Sequence, residues 1–196
     1  MLKAKFTNYN IILASGSPRR QQFFLDLDLD FEIRLKEINE IYPPELKGAA
    51  ITDYLAVLKA SPFEGELLPN DLLITSDTIV WLNGTALGKP KDYDDAFRIL
   101  KLLSGNTHEV ITSVCFKTIA ETKVINEITK VTFAEFSDDV IHYYLQNHQP
   151  FDKAGAYGIQ DWIGLVGISK IEGSYTNVVG LPTEKVYQYL STFKLK

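Results

Sequence analysis

The stretch Ile11-Ile12-Leu13-Ala14-Ser15-Gly16-Ser17-Pro18-Arg19-Arg20-Gln21-Gln22-Phe23-Phe24-Leu25 decides the fold class. Its apolar start reads as a buried strand, Gly16 lets the chain turn, and Ser17-Pro18 opens a helix, since serine suits the N-cap and proline the first helical position. Strand, glycine turn and helix start, in that order, begin an α/β unit. The free backbone N–H groups of such a first turn attract anions. The helix dipole disfavours cations there by about 0.3–1 kcal/mol. Arg19 and Arg20 are therefore poorly placed unless an anion joins them, the ordinary alternative being a solvated basic turn. The Gly-Lys-Ser/Thr ending of a Walker A loop is absent, which argues against a P-loop kinase.

Outward from that turn, further strands are predicted near residues 31, 72, 108 and 130, and helices over 18–27, 49–60, 92–103, 138–146 and 182–193. Ile79-Val80-Trp81 followed by Asn83-Gly84 predicts a hairpin with a type I′ turn, so the sheet is mixed. Gly105 falls at the C′ position of the helix ending near 103. Residues 68–71 and the segment from 147 read as loops.

The chain has 196 residues, with 20 Lys+Arg against 25 Asp+Glu for a net charge of −5. That length predicts a single domain over 1–196 with two lobes. The acidic balance argues against a nucleic-acid polymer as partner, because no basic face compensates a phosphate backbone. A small anion held by a few local cations is not excluded. The single cysteine, Cys115, forbids an internal disulfide and reads as a buried strand thiol. No apolar run is long enough for a membrane span, and no signal-peptide pattern opens the chain, so a soluble cytoplasmic protein is expected. His108, His142 and His148 lack zinc-ligand spacing; His108 reads as either a ligand contact or a satisfied structural side chain.

Ser76-Asp77-Thr78 ends the very apolar run LLIT, and the carboxyl ends of buried strands are where α/β sheets usually place ligands. Lys89, past the hairpin, is expected to return near Asp77. In Asp152-Lys153-Ala154-Gly155-Ala156-Tyr157-Gly158-Ile159-Gln160, small residues permit close backbone approach, and a glutamine amide offers a nucleobase both a donor and an acceptor. A tight structural turn is the competing reading.

Taken together, ASGSPRR at 14–20, SDTIV at 76–80, GKP at 88–90, SGNTHEV at 104–110, DKAGAYGIQ at 152–160 and GSYTNVVGLP at 173–182 resemble the Maf family of nucleoside triphosphate pyrophosphatases, in order and over nearly the whole chain. The combination of Arg19, Thr78 and Gln160 is similar to the branch preferring dTTP and UTP. The resemblance implies a mixed sheet with flanking helices in two lobes around a cleft, similar to the inosine-triphosphatase-like fold. It implies hydrolysis between the α and β phosphates with a divalent cation, Mg²⁺ or Mn²⁺, in a homodimer. Asp77 is then the proton acceptor for water, and Glu40 and Asp77 hold the metal. Arg19, Thr78 and Gln160 set base preference, while Ser15, Arg20, Lys59, Lys89 and Lys153 engage the triphosphate. Two departures stand out: Ser76 where alanine is common, and Asp161-Trp162 where a glycine is frequent, placing an acid and a large ring beside the proposed base reader. The alternative is a nucleotide-sensing regulator of cell division without turnover.

Overall fold

The computed structural model describes residues 1–194. The chain runs α1 (Leu2–Lys5), β1 (Asn10–Leu13), α2 (Pro18–Asp26), β2 (Glu32–Ile33), α3 (Ala49–Ala60), β3 (Asp71–Leu82), β4 (Thr85–Leu87), α4 (Tyr93–Leu103), β5 (Thr107–Lys117), β6 (Thr122–Phe133), α5 (Asp138–His148), α6 (Trp162–Gly167), β7 (Ile168–Glu172), α7 (Tyr175–Val179) and α8 (Thr183–Thr192). Hydrogen bonding orders the strands β2-β1-β3-β5-β6-β7, with β4 on β3. β1 pairs in parallel with β2 and β3, whereas the β3/β4 and β6/β7 pairs are antiparallel, so the sheet is mixed as expected. Asn83 (φ 49°) and Gly84 (φ 82°) both adopt positive φ and close the β3/β4 hairpin in two residues, matching the predicted turn.

Two compact units divide the chain. The first comprises Met1–Asp77, Thr112–Asn126 and the chain from Gly180; the second comprises Thr78–Ile111 and Glu127–Val179.

In the first unit, strand alternation sorts side chains to opposite faces of the sheet. Ile12, Leu73 and Cys115 pack with Ala56 and Ala60 of α3. Ile11, Leu13, Leu72, Ile74, Val114 and Phe116 pack with Phe24 of α2 and with Val186 and Leu190 of α8. Helices on both faces explain why LLIT is continuously apolar. The Cys115 thiol is buried, and burial raises its pKa to about 11, which leaves it an inert core group.

The second unit gathers its core around Val131 and Phe133 of β6, with Ala96, Leu100 and Leu103 of α4 and Ile141, Tyr144 and Leu145 of α5. Lys130 is exposed between buried Thr129 and Val131, the alternation of a strand with one wet face. Gly105 has φ 68° just past the end of α4, as expected for its C′ position, and its N–H donates to the Ala134 carbonyl at 3.0 Å.

Candidate active site

Within the first unit, alternation along β3 aims Thr75 and Asp77 at α3. The Thr75 hydroxyl donates to the Ala56 carbonyl at 2.5 Å. One turn further along α3, the Lys59 ammonium donates to Asp77 Oδ1 at 2.7 Å and stands 3.1 Å from Glu40 Oε2. Lys59 occupies the last turn of α3, where the helix dipole favours a cation. Asp77 is buried, whereas the Glu40 side chain is 52% exposed on the segment after β2. The cation that meets Asp77 is thus Lys59, from eighteen residues upstream, where sequence spacing had offered Lys89. Lys89 is exposed just after β4, in the second unit.

The opening turn folds as read, with one correction. Ser17 occupies the N-cap with extended backbone and Pro18 follows it, but the Ser17 side chain makes no capping bond. The buried Ser15 hydroxyl organises the turn instead, accepting the Ser17 N–H at 3.3 Å, while Gln21 Nε2 donates to the Ser15 carbonyl at 3.1 Å. Arg20 lies half-buried across strand and helix. Its Nε donates to the Gly180 carbonyl and one Nη to the Ser76 carbonyl, each at 2.9 Å. Loss of water lowers the Arg20 pKa, Asp77 and Glu40 oppose that shift, and Arg19 adds to it. A guanidinium stays charged regardless, so the arrangement holds a half-buried cation near Asp77 with a second arginine next to it in sequence.

In the second unit, Thr78 continues β3, and the 152–160 segment forms a short turn structure tied to the hairpin's end. The Gly155 N–H donates to the Gly88 carbonyl at 3.0 Å. Gly155 has φ 70°, and a Cβ there would lie 2.6 Å from Val80 Cγ2, so only glycine fits. The structure therefore brings the GKP and DKAGAYGIQ segments together. Lys153 Nζ lies 3.0 Å from Asp152 Oδ1 and 3.7 Å from Asp161 Oδ2. Gln160 is exposed in the turn before α6. His108 proves structural. It is buried, with Nε2 2.7 Å from the Tyr157 hydroxyl and the ring edge-on to Phe133 and Tyr157.

The Maf-like protein family matches residues 10–193. The chain belongs to that family.

It is 70% identical to the dTTP/UTP pyrophosphatase of Flavobacterium psychrophilum over 97% of each chain. It is 64% identical to the protein of the same name from Flavobacterium johnsoniae, over 98% of this chain and 99% of the relative. Among solved structures, a HAM1 protein from Coxiella burnetii superposes with a TM-score of 0.53 at 15% identity, covering 93% of this chain and 98% of that one, a likeness of fold alone.

In this Maf-like chain the GSYTNVV segment does local structural work. Asn177 Nδ2 donates to the Val110 carbonyl and to Thr129 Oγ1, both at 3.0 Å, and the Ser174 N–H donates to Thr129 Oγ1 at 3.0 Å. Sequence reading missed two further features. The Gly180 and Ser76 carbonyls anchor Arg20, and main-chain acceptors leave no mark in residue type. Tyr144 and Asp161 grip the Gln160 turn; Asp161 had stood out as a departure, but nothing linked it to a helix residue seventeen positions earlier. Among the described residues no group of three or more His, Cys, Asp or Glu side chains is placed to hold a metal ion. No helix among them is long and apolar enough to cross a membrane.

Proposed function

We propose that this chain is a nucleoside triphosphate pyrophosphatase acting on dTTP and UTP, as its similar relatives are named. The observation that carries the reading is the cluster in which Glu40 and Asp77 share the Lys59 ammonium, with the half-buried Arg20 bound to the Ser76 carbonyl just before Asp77. Phosphoryl chemistry needs positioning and charge stabilisation more than covalent catalysis. A cation 4 Å from a phosphate oxygen contributes roughly 4 kcal/mol at an effective dielectric near 20, before desolvation is subtracted.

In this reading, Asp77 takes the proton of a water that attacks the α phosphorus. The bond from that phosphorus to the bridging oxygen breaks, and pyrophosphate leaves with the electron pair. Arg20, Lys59, Lys89 and Lys153, with Ser15 shaping the first turn, hold the triphosphate. Arg19, Thr78 and Gln160 select the base. Asp161, the departure beside Gln160, is turned to other partners, since its Oδ2 accepts from the Tyr144 hydroxyl at 2.7 Å.

The donor set fits a hard divalent cation such as Mg²⁺ or Mn²⁺. Two carboxylates, Asp77 and Glu40, already converge on one cationic group, and such ions are commonly held by one or two carboxylates with water and phosphate oxygens completing the shell. When bound, the ion supplies charge neutralisation and a more acidic water. The reading extends to a cytoplasmic homodimer, whose mass light scattering would report.

Product analysis with Mg²⁺ or Mn²⁺ and a panel of dTTP, UTP, CTP, dATP and GTP tests the proposal. Pyrophosphate with dTMP or UMP, lost in Asp77→Asn, is the expected result. Orthophosphate release would move the chemistry to the γ phosphate, and tight nucleotide binding without turnover would favour a sensor.

A further inference from the structure

Gln160 is exposed, yet residues 155–159 just before it are buried and the turn is fixed from the core. Tyr144 of α5 is fully buried, and its hydroxyl makes two bonds to that turn. It accepts the Gly158 N–H at 3.2 Å and donates to Asp161 Oδ2 at 2.7 Å. These contacts fall two residues before Gln160 and one after it. The fit is close on both sides: a Cβ on Gly158 would lie 2.8 Å from Asp161 Oδ2, so the carboxylate fills the space where a side chain would stand. The Asp161 N–H also donates to the Gly158 carbonyl at 3.0 Å, closing the turn on itself. Lys153 lies 3.7 Å from the same carboxylate oxygen that receives the tyrosine proton. A buried hydroxyl with a donor and an acceptor both engaged specifies one geometry, because slipping the turn by one residue would leave polar groups unsatisfied in the core.

We infer that Tyr144, through Asp161 and Gly158, is a positioning residue that sets nucleobase selectivity by holding the Gln160 turn in one conformation. This inference rests on the reading of Gln160 as a base reader. Tyr144 is fully buried and acts on substrate only through the turn. Burial and the adjacent Asp161 raise its pKa, so the hydroxyl stays a proton donor throughout the working pH range. Asp161 thus clamps the turn through its side chain, and next to it the Trp162 ring packs on Tyr143, with centroids 4.7 Å apart.

The test is a double-mutant cycle on discrimination, read as the ratio of kcat/KM for dTTP to that for CTP. Gln160→Ala, Tyr144→Phe and the double variant are compared with the wild type. The inference expects Tyr144→Phe to shift the ratio severalfold, with kcat for dTTP changed less than twofold, and to have no further effect once Gln160 is alanine. Asp161→Ala, which removes the acceptor, should shift the ratio as Tyr144→Phe does. Asp161→Asn, which keeps an oxygen there, should retain most of it. If Gln160→Ala shifts the ratio and Tyr144→Phe does not, or if the two effects simply multiply, the positioning role is overturned. If Gln160→Ala itself leaves the ratio unchanged while turnover persists, the base-reading assignment has failed and takes the inference with it. A loss of melting temperature without a change in ratio assigns Tyr144 to stability alone and also overturns the inference.

Discussion

The charged cluster around Asp77 and the turn around Gln160 are built by opposite means. Asp77 rides on a strand covered by helices on both faces, and its partners Lys59 and Arg20 come from the end of one helix and the start of another. The Gln160 turn lies between regular elements, and side-chain bonds from Tyr144 and a glycine contact at Val80 hold it. The first region takes its rigidity from the sheet, whereas the second takes it from a few hydrogen bonds and one close approach. Charge stabilisation needs fixed dipoles and cations, which regular elements supply. Base selection can be placed on a turn, where one residue changes specificity without disturbing the core.

This contrast predicts that perturbing the strand region acts first on turnover, whereas perturbing the turn acts on selectivity and local stability. The largest effect is expected for Asp77→Asn. The substitution keeps size and removes the carboxylate proposed as proton acceptor, so kcat should fall by about 10²–10⁴-fold. Nucleotide affinity, measured by equilibrium titration, should stay within a few-fold. A variant with full turnover would remove Asp77 from the chemistry and leave the strand region a binding surface.

The second effect is on pH and belongs to the turn region. Burial lowers the His108 pKa from 6.5 to about 4, so the folded state resists protonation that the unfolded state accepts. The stability this provides is present above about pH 6.5 and is lost as pH falls toward 4, amounting to about 3 kcal/mol in all. His108 Nε2 contacts the Tyr157 hydroxyl, one residue before the clamped Gly158. Acidification should therefore raise hydrogen exchange in residues 152–161 before it does so in β1 and β3. His108→Gln, which cannot titrate, should flatten the decline in melting temperature between pH 6.5 and 4.5. Equal slopes would assign acid sensitivity to other groups.

How much of each region was legible in the sequence follows from the same contrast. β1, β3 and most of β5 were readable because helices cover both faces, which forces unbroken apolar runs such as LLIT. The first half of β6 and all of β7 were not, because alternation with solvent-facing residues mixes Lys123, Asn126 and Glu127, or Lys170 and Glu172, into the strand. The helices α1, α6 and α7 have four, six and five residues, too few to display a helical period. In the site, Arg20 and Asp77 announced themselves by position: cations at a helix start and an acid at a strand end. Lys59 entered only through the family resemblance, because nothing in the α3 sequence says which strand residue its last turn will face. Tyr144 reads in sequence as one more aromatic on an amphipathic helix, and its hydroxyl gains meaning only once Asp161 is in place.

A third, smaller effect separates close approach from backbone strain. Gly155→Ala combines a positive φ with a 2.6 Å contact to Val80 and should cost about 2–3 kcal/mol in urea unfolding. Gly65→Ala, at φ 80° with nothing within 4 Å, meets the strain alone and should cost about 1 kcal/mol. Equal losses would mean that Val80 yields, and that the turn is held by its hydrogen bonds alone.

The smallest expected effect is in the strand region and turns on shape at constant charge. Arg20 spans the Ser76 and Gly180 carbonyls with two nitrogens of one rigid plane. A lysine carries the same charge, but its single ammonium cannot reproduce that fork, so Arg20→Lys should leave one of these two bonds unmade. The cost expected is about 1–2 kcal/mol of stability, from one buried carbonyl losing its donor. The activity should respond differently from the stability. The charge near Asp77 is preserved, so turnover should fall far less than in Asp77→Asn, while KM rises as the cation's position loosens. A KM unchanged alongside the stability loss would make Arg20 a brace between β3 and the segment entering α8, and would leave Lys59 as the cation that meets the phosphates in this region.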